Sequence, residues 1–313
     1  MSDERMTKKD WLLGFGALAG FTVLFFIGLH LWVLFAPADA VPGFAVHGGE
    51  VVALEAHYGG EEGISGGRLV RIDARTGAVT HRQRLDWRSF VGQVDDELWL
   101  RTEAGLEVRS LPSLELVADG FVLAQRQPEL AVLGDPERSA CVDLPRRQVR
   151  FVAKDGRNVA FDLKTRALTP SDDTGCSSSS AGFAGGTLRD GRRLQTGSMP
   201  ASQRNELTLD GAPLGLDGLE LQVFVSDQRT QQLLELDGDA LLSRRTATTD
   251  DGEAELLRLS LTEKKARWST PLGVQRLSAE QVARVGDVLV VGDGHRLFAL
   301  DWATGRLLWK RVP

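Results

Sequence analysis

Cysteine is almost absent. Two in 313 residues cannot staple a fold through a disulfide framework, nor build a structural zinc site from several thiolates. An excess of basic charge is missing too. Lys and Arg number 37 against 43 Asp and Glu, a formal net of −6, whereas a dedicated nucleic-acid binder presents a positive field to phosphates. No nucleic-acid partner is expected. Beyond residue 41 no long stretch carries the 3.6-residue apolar period of an amphipathic helix. The five histidines show neither H-x-H nor H-E-x-x-H spacing, so no metal site is signalled. With 42% hydrophobic and 26% charged residues, the chain is nonetheless an ordinary globular sequence.

Charge vanishes between Asp10 and Asp39. Residues 11–35, WLLGFGALAGFTVLFFIGLHLWVLF, would make a helix of about 37 Å against a hydrocarbon core of about 30 Å. Trp11 and Trp32 fall near its ends, where indole rings favour the membrane interface. Arg5, Lys8 and Lys9 precede the run, and no Lys or Arg follows before Arg68. This asymmetry puts the N-terminus in the cytoplasm and the bulk outside it. The expected organisation is a cytoplasmic tail over residues 1–10, a single transmembrane α-helix over 11–36, a linker over 37–42 and a folded domain over 43–313. Ala38-Asp39-Ala40 offers the competing reading of a cleaved signal peptide, but the apolar run exceeds the roughly 7–15 residues of such a core. Gly16 and Gly20 form a small-xxx-small pair that could join two helices in a homodimer. Glycine is also simply common in membrane helices.

Disulfides persist outside the cytoplasm. Cys141 and Cys176 are a candidate bridge, closing a loop of about 35 residues worth about 3–4 kcal/mol in the chain-entropy model. The alternative is two unrelated buried thiols.

From residue 41 onward, short β-rich runs alternate with Gly, Asp, Asn and Pro. Residues 50–57 (EVVALEAH), 68–72 (RLVRI), 97–101 (ELWLR), 148–153 (QVRFVA) and 287–291 (DVLVV) are examples. This is the pattern of an all-β sandwich, barrel or propeller. A repeat narrows the choice. Residues 67–85 and 295–310 both run Arg, apolar strand, Asp, two residues, Thr-Gly, second strand, aligning Asp73, Thr76 and Gly77 with Asp301, Thr304 and Gly305. Physically each is a hairpin whose turn is held by the Asp side chain and opened by glycine. Residues 160–168 keep Asp162 and Thr165 but put Arg166 at the glycine position. With Asp73, Leu111, Asp162, Thr262 and Asp301 as turn markers, the steps are 38, 51, 100 and 39 residues. The wide step could hold two units. A period of about 40–50 residues matches one four-stranded propeller blade.

The string LFALDWATGRLLWK at 297–310 resembles the repeat of pyrroloquinoline-quinone-type, or quinoprotein-like, β-propellers, with Trp309 at the repeat's tryptophan position. The resemblance implies a β-propeller of about six four-stranded blades, within a range of five to eight, and a structural role for Trp309 between adjacent blades. It also implies a bacterial protein in the inner membrane with its bulk in the periplasm. Catalytic quinoproteins of this fold hold their quinone over calcium, acidic ligands and an adjacent-cysteine disulfide. This chain has no adjacent cysteines and no recognisable calcium-ligand set, so no cofactor and no enzymatic activity are expected.

The remaining motifs are weaker. Residues 63–67 (GISGG) match G-x-S-x-G, but a nucleophile elbow needs a helix after Ser65, and a strand follows instead. Asp250, Asp251 and Glu253 form an acidic turn without the alternating ligands of a calcium loop. Residues 170–197 are rich in Ser, Gly and Asp, a long loop or an irregular blade. Of 37 basic residues, 30 are arginine, paired at 146–147, 192–193 and 244–245. Such pairs either grip carboxylates and phosphates or are simply solvated. The expected function is a membrane-anchored extracytoplasmic propeller acting as a protein-binding or scaffolding module among envelope proteins. The alternative is a small-molecule sensor or enzyme using the central funnel.

Overall fold

The structure, a computed structural model, describes residues 21–25, 27–28, 38–58, 64–86, 88–135, 138, 140–172, 185–198, 204–227, 231–245, 253–277 and 281–312. Residues 21–25 and 27–28 are helical and exposed. The rest of the expected span 11–36, with Gly16 and Gly20, lies outside the described residues. No helix among the described residues is long and apolar enough to cross a membrane, so the span enters below only as a proposal.

From Ala40 onward the fold is almost all strand. The first sheet is the meander β1 (Ala40–His47), β2 (Glu50–Tyr58), β3 (Ile64–Asp73) and β4 (Val79–Leu85). Its first strand begins inside the stretch 37–42 expected as a linker. The second sheet is β5 (Ser89–Val94), β6 (Glu97–Thr102), β7 (Gly105–Ser110) and β8 (Leu116–Ala118). The third is β9 (Ala140–Asp143), β10 (Gln148–Val152), β11 (Asn158–Asp162) and β12 (Leu168–Pro170). A large sheet follows. Its first half is β13 (Gly185–Thr187), β14 (Arg193–Ser198), β15 (Asn205–Leu209) and β16 (Ala212–Val223). After the short β17 (Val225–Asp227), β18 (Gln232–Leu233) and β19 (Glu235–Leu236), its second half is β20 (Asp239–Arg245), β21 (Ala254–Ser260) and β22 (Lys265–Pro271). The two halves are joined by pairing of β16 with β20. The last sheet is β23 (Gln281–Val285), β24 (Val288–Gly292), β25 (Leu297–Asp301) and β26 (Leu307–Arg311). One helical insertion escapes the strand-only expectation: α1 (Gly120–Arg126), capped by the Asp119 carboxylate accepting from Val122 N, runs into a 3-10 segment at Pro128–Gly134. Both are too short to register as a period.

The sheets stand face to face, so an inner strand must bury both of its faces. β2 shows the consequence. Val51 and Ala53 join a cluster with Val288 and Val290 of the last sheet, while Val52 and Leu54 join one with Leu98 and Leu100 of the second. That is why residues 50–57 read as a continuous apolar run instead of an alternation. Further clusters link the second sheet to the third, the two halves of the large sheet, and the large sheet to the last. Because the last sheet packs on the first, the sheets curve back on themselves in a propeller-like ring. None of these five clusters draws on both the third sheet and the large one. Register explains why: Arg150 of β10 stands opposite Cys141, buried and 3.5 Å from Asp143, and Arg193 and Gln195 of β14 are exposed. These faces are polar.

The hairpin turns of the repeat share one geometry. Gly77 N donates to Asp73 O, Leu114 N to Ser110 O, Arg166 N to Asp162 O and Gly305 N to Asp301 O. The fifth residue is left-handed in every case, at φ 73, 60, 57 and 72°, and Lys264, four residues after Ser260, follows suit at 56°. Leu111 and Thr262 are therefore not the turn markers; Ser110 and Ser260 are. Ser and a non-glycine at the two key positions hide these turns from a sequence search, at a cost of about 1 kcal/mol for each left-handed L-residue. The wide step holds two further two-residue turns of the primed kind, Asp210-Gly211 at φ 50 and 78° and Asp237-Gly238 at φ 54 and 76°. The Thr76 hydroxyl donates to Asp73 and the Thr304 hydroxyl to Asp301, both at 2.7 Å. These bonds hold the two carboxyls below the usual 3.8. Their contribution is present above the unfolded carboxyl range and is lost as pH falls through the lowered values.

Each turn is also a docking point. The Trp309 indole donates to Ala74 O at 2.8 Å and lies over Gly77, where an added Cβ would sit 2.7 Å from its Cγ. Trp268 donates to Trp302 O at 3.0 Å and lies over Gly305, where a Cβ would sit 2.5 Å from its Cδ2. Trp268→Ala is expected to cost about 3–5 kcal/mol as a buried aromatic truncation. Gly305→Ala should destabilise comparably, since the new methyl cannot coexist with the indole. Urea unfolding of both variants measures this; a loss below about 1 kcal/mol in either would contradict the docking.

Candidate functional site

Strand direction gives the ring two distinct ends. The Asp-Thr-Gly turns lie at one. The other, the leading end, holds the start of β1, the β24–β25 turn and the last residues of β20 and β22. Val41 N donates to Gly294 O, tying the first strand to this end.

A cavity of about 290 Å³ opens at the leading end beside the second half of the large sheet. Glu220, Gln222, Ser243, Arg244, Arg245 and Arg276 are among its lining residues. The β16–β20 register shifts between Leu219 and Gln222, and Glu220 sits in that bulge at φ 48°. Strained residues of this kind are retained where the surroundings over-determine them, often at functional sites. The bulge brings the Glu220 carboxylate 2.9 Å from Arg276 and 3.8 Å from Arg245. Arg244 donates to Glu255 at 2.9 Å and to Asp217 O at 3.2 Å. Two guanidiniums, those of Arg245 and Arg276, thus converge on the one carboxylate of the lining, while that of Arg244 is engaged by Glu255 and the Asp217 carbonyl. The 244–245 pair was visible in the sequence. Arg276 and Glu220 were not, because only the fold brings them within reach of it.

A second feature is the outer edge of the second sheet. Leu116 and Val117 of β8 are each 49% exposed, and Phe121 of α1 is 71% exposed, with Val122 beside it. The inner strands look quite different. Gln281 of β23 accepts from Phe44 N and donates to Phe44 O, and Gln93 of β5 does the same with Val46 at 2.8 and 2.9 Å. Two side-chain amides therefore pair with the β1 backbone from either side.

Cys141 is disulfide-bonded; Cys176, the chain's other cysteine, lies outside the described residues, as do Asp250 and Asp251. Ser65 falls inside β3, with β4 after it, so its backbone setting is not that of a nucleophile elbow. His47 pairs with Asp96 at 3.2 Å, and His57 is buried. Among the described residues no group of three or more His, Cys, Asp or Glu is placed to hold a metal ion.

No family model and no curated protein matches the chain. Among solved structures, a protein of unknown function from Bacteroides caccae aligns over 79% of this chain and 90% of its own, at 12% identity and a TM-score of 0.33. BamB from Moraxella catarrhalis aligns over 86% and 75%, at 15% identity and a TM-score of 0.22. Hydrazine synthase from Kuenenia stuttgartiensis aligns over 86% and 77%, at 12% identity and a TM-score of 0.30. Superposition is loose at these scores, and the propeller-like reading rests on the sheets and docked turns above. No enzyme family is shown.

Glu220 yields a direct check on the bulge. Replacing a left-handed residue by glycine relieves backbone strain of about 1 kcal/mol, so Glu220→Gly should be about that much more stable than Glu220→Ala. Equal stability in chemical denaturation would mean the bulge is absent in solution.

Proposed function

We propose that the chain is a six-bladed β-propeller, held at the outer face of a bacterial inner membrane by the helix 11–36, that serves as a protein-binding scaffold. The first, second, third and last sheets are one blade each, and the large sheet supplies two. The repeat's likeness to quinoprotein-like propellers supports this count, and the basic residues before the span support the orientation.

The observation that carries the binding role is the uncovered edge of the second sheet. Leu116, Val117, Phe121 and Val122 place four exposed apolar side chains within seven residues, a density that marks an interaction surface. β8 is an outermost strand, so its free backbone groups can accept an added strand. The partner that fits is an extended apolar segment of another envelope protein, pairing with β8 and covering Phe121. A ligand in a central funnel has less support, because Gln93 and Gln281 already stitch β1 to its neighbouring inner strands.

Cross-linking capture from native membranes, with the full chain as bait, tests this reading. Wild type should retain a reproducible set of envelope proteins, and the double variant Val117→Glu, Phe121→Glu should lose them while unfolding at an unchanged temperature, both side chains being exposed. Recovery of the same set by the variant would overturn it.

A further inference from the structure

We propose that the arginine pocket at the leading end binds a phosphate group, carried by an anionic phospholipid headgroup or arriving as a free anion. The lipid source rests on the membrane-anchor reading above; the phosphate chemistry does not.

The first argument is the donor set. Each guanidinium offers a planar fork of N–H donors matched to the oxygens of a phosphate. Glu220 already acts as an internal anion for two of the forks, at 2.9 Å from Arg276 and 3.8 Å from Arg245. A carboxylate has two oxygens and a single charge. A phosphate adds oxygens and charge, and so can engage further donors of the exposed Arg276 fork. The Arg276 side chain is 72% exposed, free to reach over an incoming group. The cavity of about 290 Å³ equals the liquid volume of about ten waters, ample for a phosphate and part of its substituent. Ser243 and Gln222 on the lining add neutral hydrogen-bonding groups. Glu253, exposed and next in the chain to the lining residue Ala254, adds a second acidic group, so recognition depends on fork geometry, not on a diffuse basic field.

The second argument is position. The pocket opens at the end where β1 begins. Ala38 is already buried, and β1 starts at Ala40. If residues 11–36 span the bilayer, a single residue separates the helix from the packed domain, a reach of about 7 Å between residues 36 and 38. The leading end is then pressed against the headgroup layer, and the pocket, one sheet away from the last sheet that flanks β1, shares that surface.

The test uses the full-length protein in a non-ionic detergent, with thermal unfolding as the readout. It is titrated separately with dioctanoyl phosphatidylglycerol, inorganic phosphate and dioctanoylglycerol, which has the same tails without phosphate. A ligand that binds only the folded state raises the unfolding temperature along a saturating curve. The proposal expects saturation with a phosphate-bearing ligand and none with dioctanoylglycerol. Saturation at lower concentration by the phospholipid assigns the lipid source; equal or tighter saturation by inorganic phosphate assigns the free anion. Arg276→Ala, at an exposed position that leaves folding intact, should weaken half-saturation by about tenfold, the cost of one charge-assisted contact. Arg276→Lys should recover it only in part, because an ammonium lacks the fork. No saturable response to either phosphate compound, or an Arg276→Ala titration that matches wild type, would overturn the pocket. Failure of the anchor reading alone would silence the phospholipid arm and leave the inorganic phosphate arm and its Arg276 dependence intact.

Discussion

A single carbonyl oxygen, one residue past three of the five turn markers, is where neighbouring sheets are joined. Ala74 O receives the Trp309 indole. Trp302 O receives both the Trp268 indole and the Arg258 guanidinium. Leu111 O receives Arg71 at 2.6 Å. In every case the donor comes from the neighbouring sheet. A buried carbonyl without a partner costs about 1–3 kcal/mol, so each of these turns fixes where its neighbour must stand. The left-handed fifth residue follows from the same demand: it turns the backbone so that the carbonyl faces the seam and a flat ring can lie over the turn. Arginine's abundance also has a structural use here. Arg71 supplies the seam bond where the first repeat lacks a tryptophan, and Arg258 lies 3.6 Å from the centre of the Trp302 ring while making its own.

Between the third sheet and the large sheet no shared apolar cluster is found among the described residues. Where the other neighbouring sheets bury Leu, Val, Phe and Trp against each other, the far face of the third sheet carries Arg150 and Asp143, and Arg193 and Gln195 on β14 are exposed. Polar faces gain little from burial, and an ion pair such as Arg150 with Asp143 contributes less than its short distance suggests once desolvation is counted. The disulfide-bonded Cys141 stands opposite Arg150 on the third sheet. Closure of the first and last sheets, by contrast, needs no covalent bond. Glu55, fully buried, is shared by Arg68 at 2.6 Å and Arg311 at 2.5 Å, and the Gln281 amide fixes β1 against β23.

What the sequence disclosed follows from these constraints. Residues 67–85 and 295–310 were legible because their turns keep Asp, Thr and Gly, the residue types for which the geometry costs least. The turns at Ser110 and Ser260 were not, because tertiary packing holds Leu114 and Lys264 left-handed against local preference. α1 was missed because seven residues make barely two helical turns. The pocket was half legible: Arg244 and Arg245 are adjacent in the chain, but Glu220 lies 24 positions before Arg244 and Arg276 lies 31 positions after Arg245. A bulge that inverts one glutamate leaves no sequence signal. Gln93 and Gln281 were silent for the same reason, since a glutamine facing a neighbouring strand reads like any polar residue.

The apolar edge at β8 and the arginine pocket occupy different parts of one rigid ring, and both gain meaning from where the ring is held. The claim on which the envelope partner and the lipid source depend is that the domain stands outside the cytoplasm with its leading end at the membrane. Protease treatment of spheroplasts from cells making the full chain, tagged separately at its two termini, addresses that directly. The account predicts that a tag after Pro313 is removed from intact spheroplasts, while a tag before Met1 is removed only after lysis. The reverse pattern, or equal protection of both tags until lysis, would contradict it.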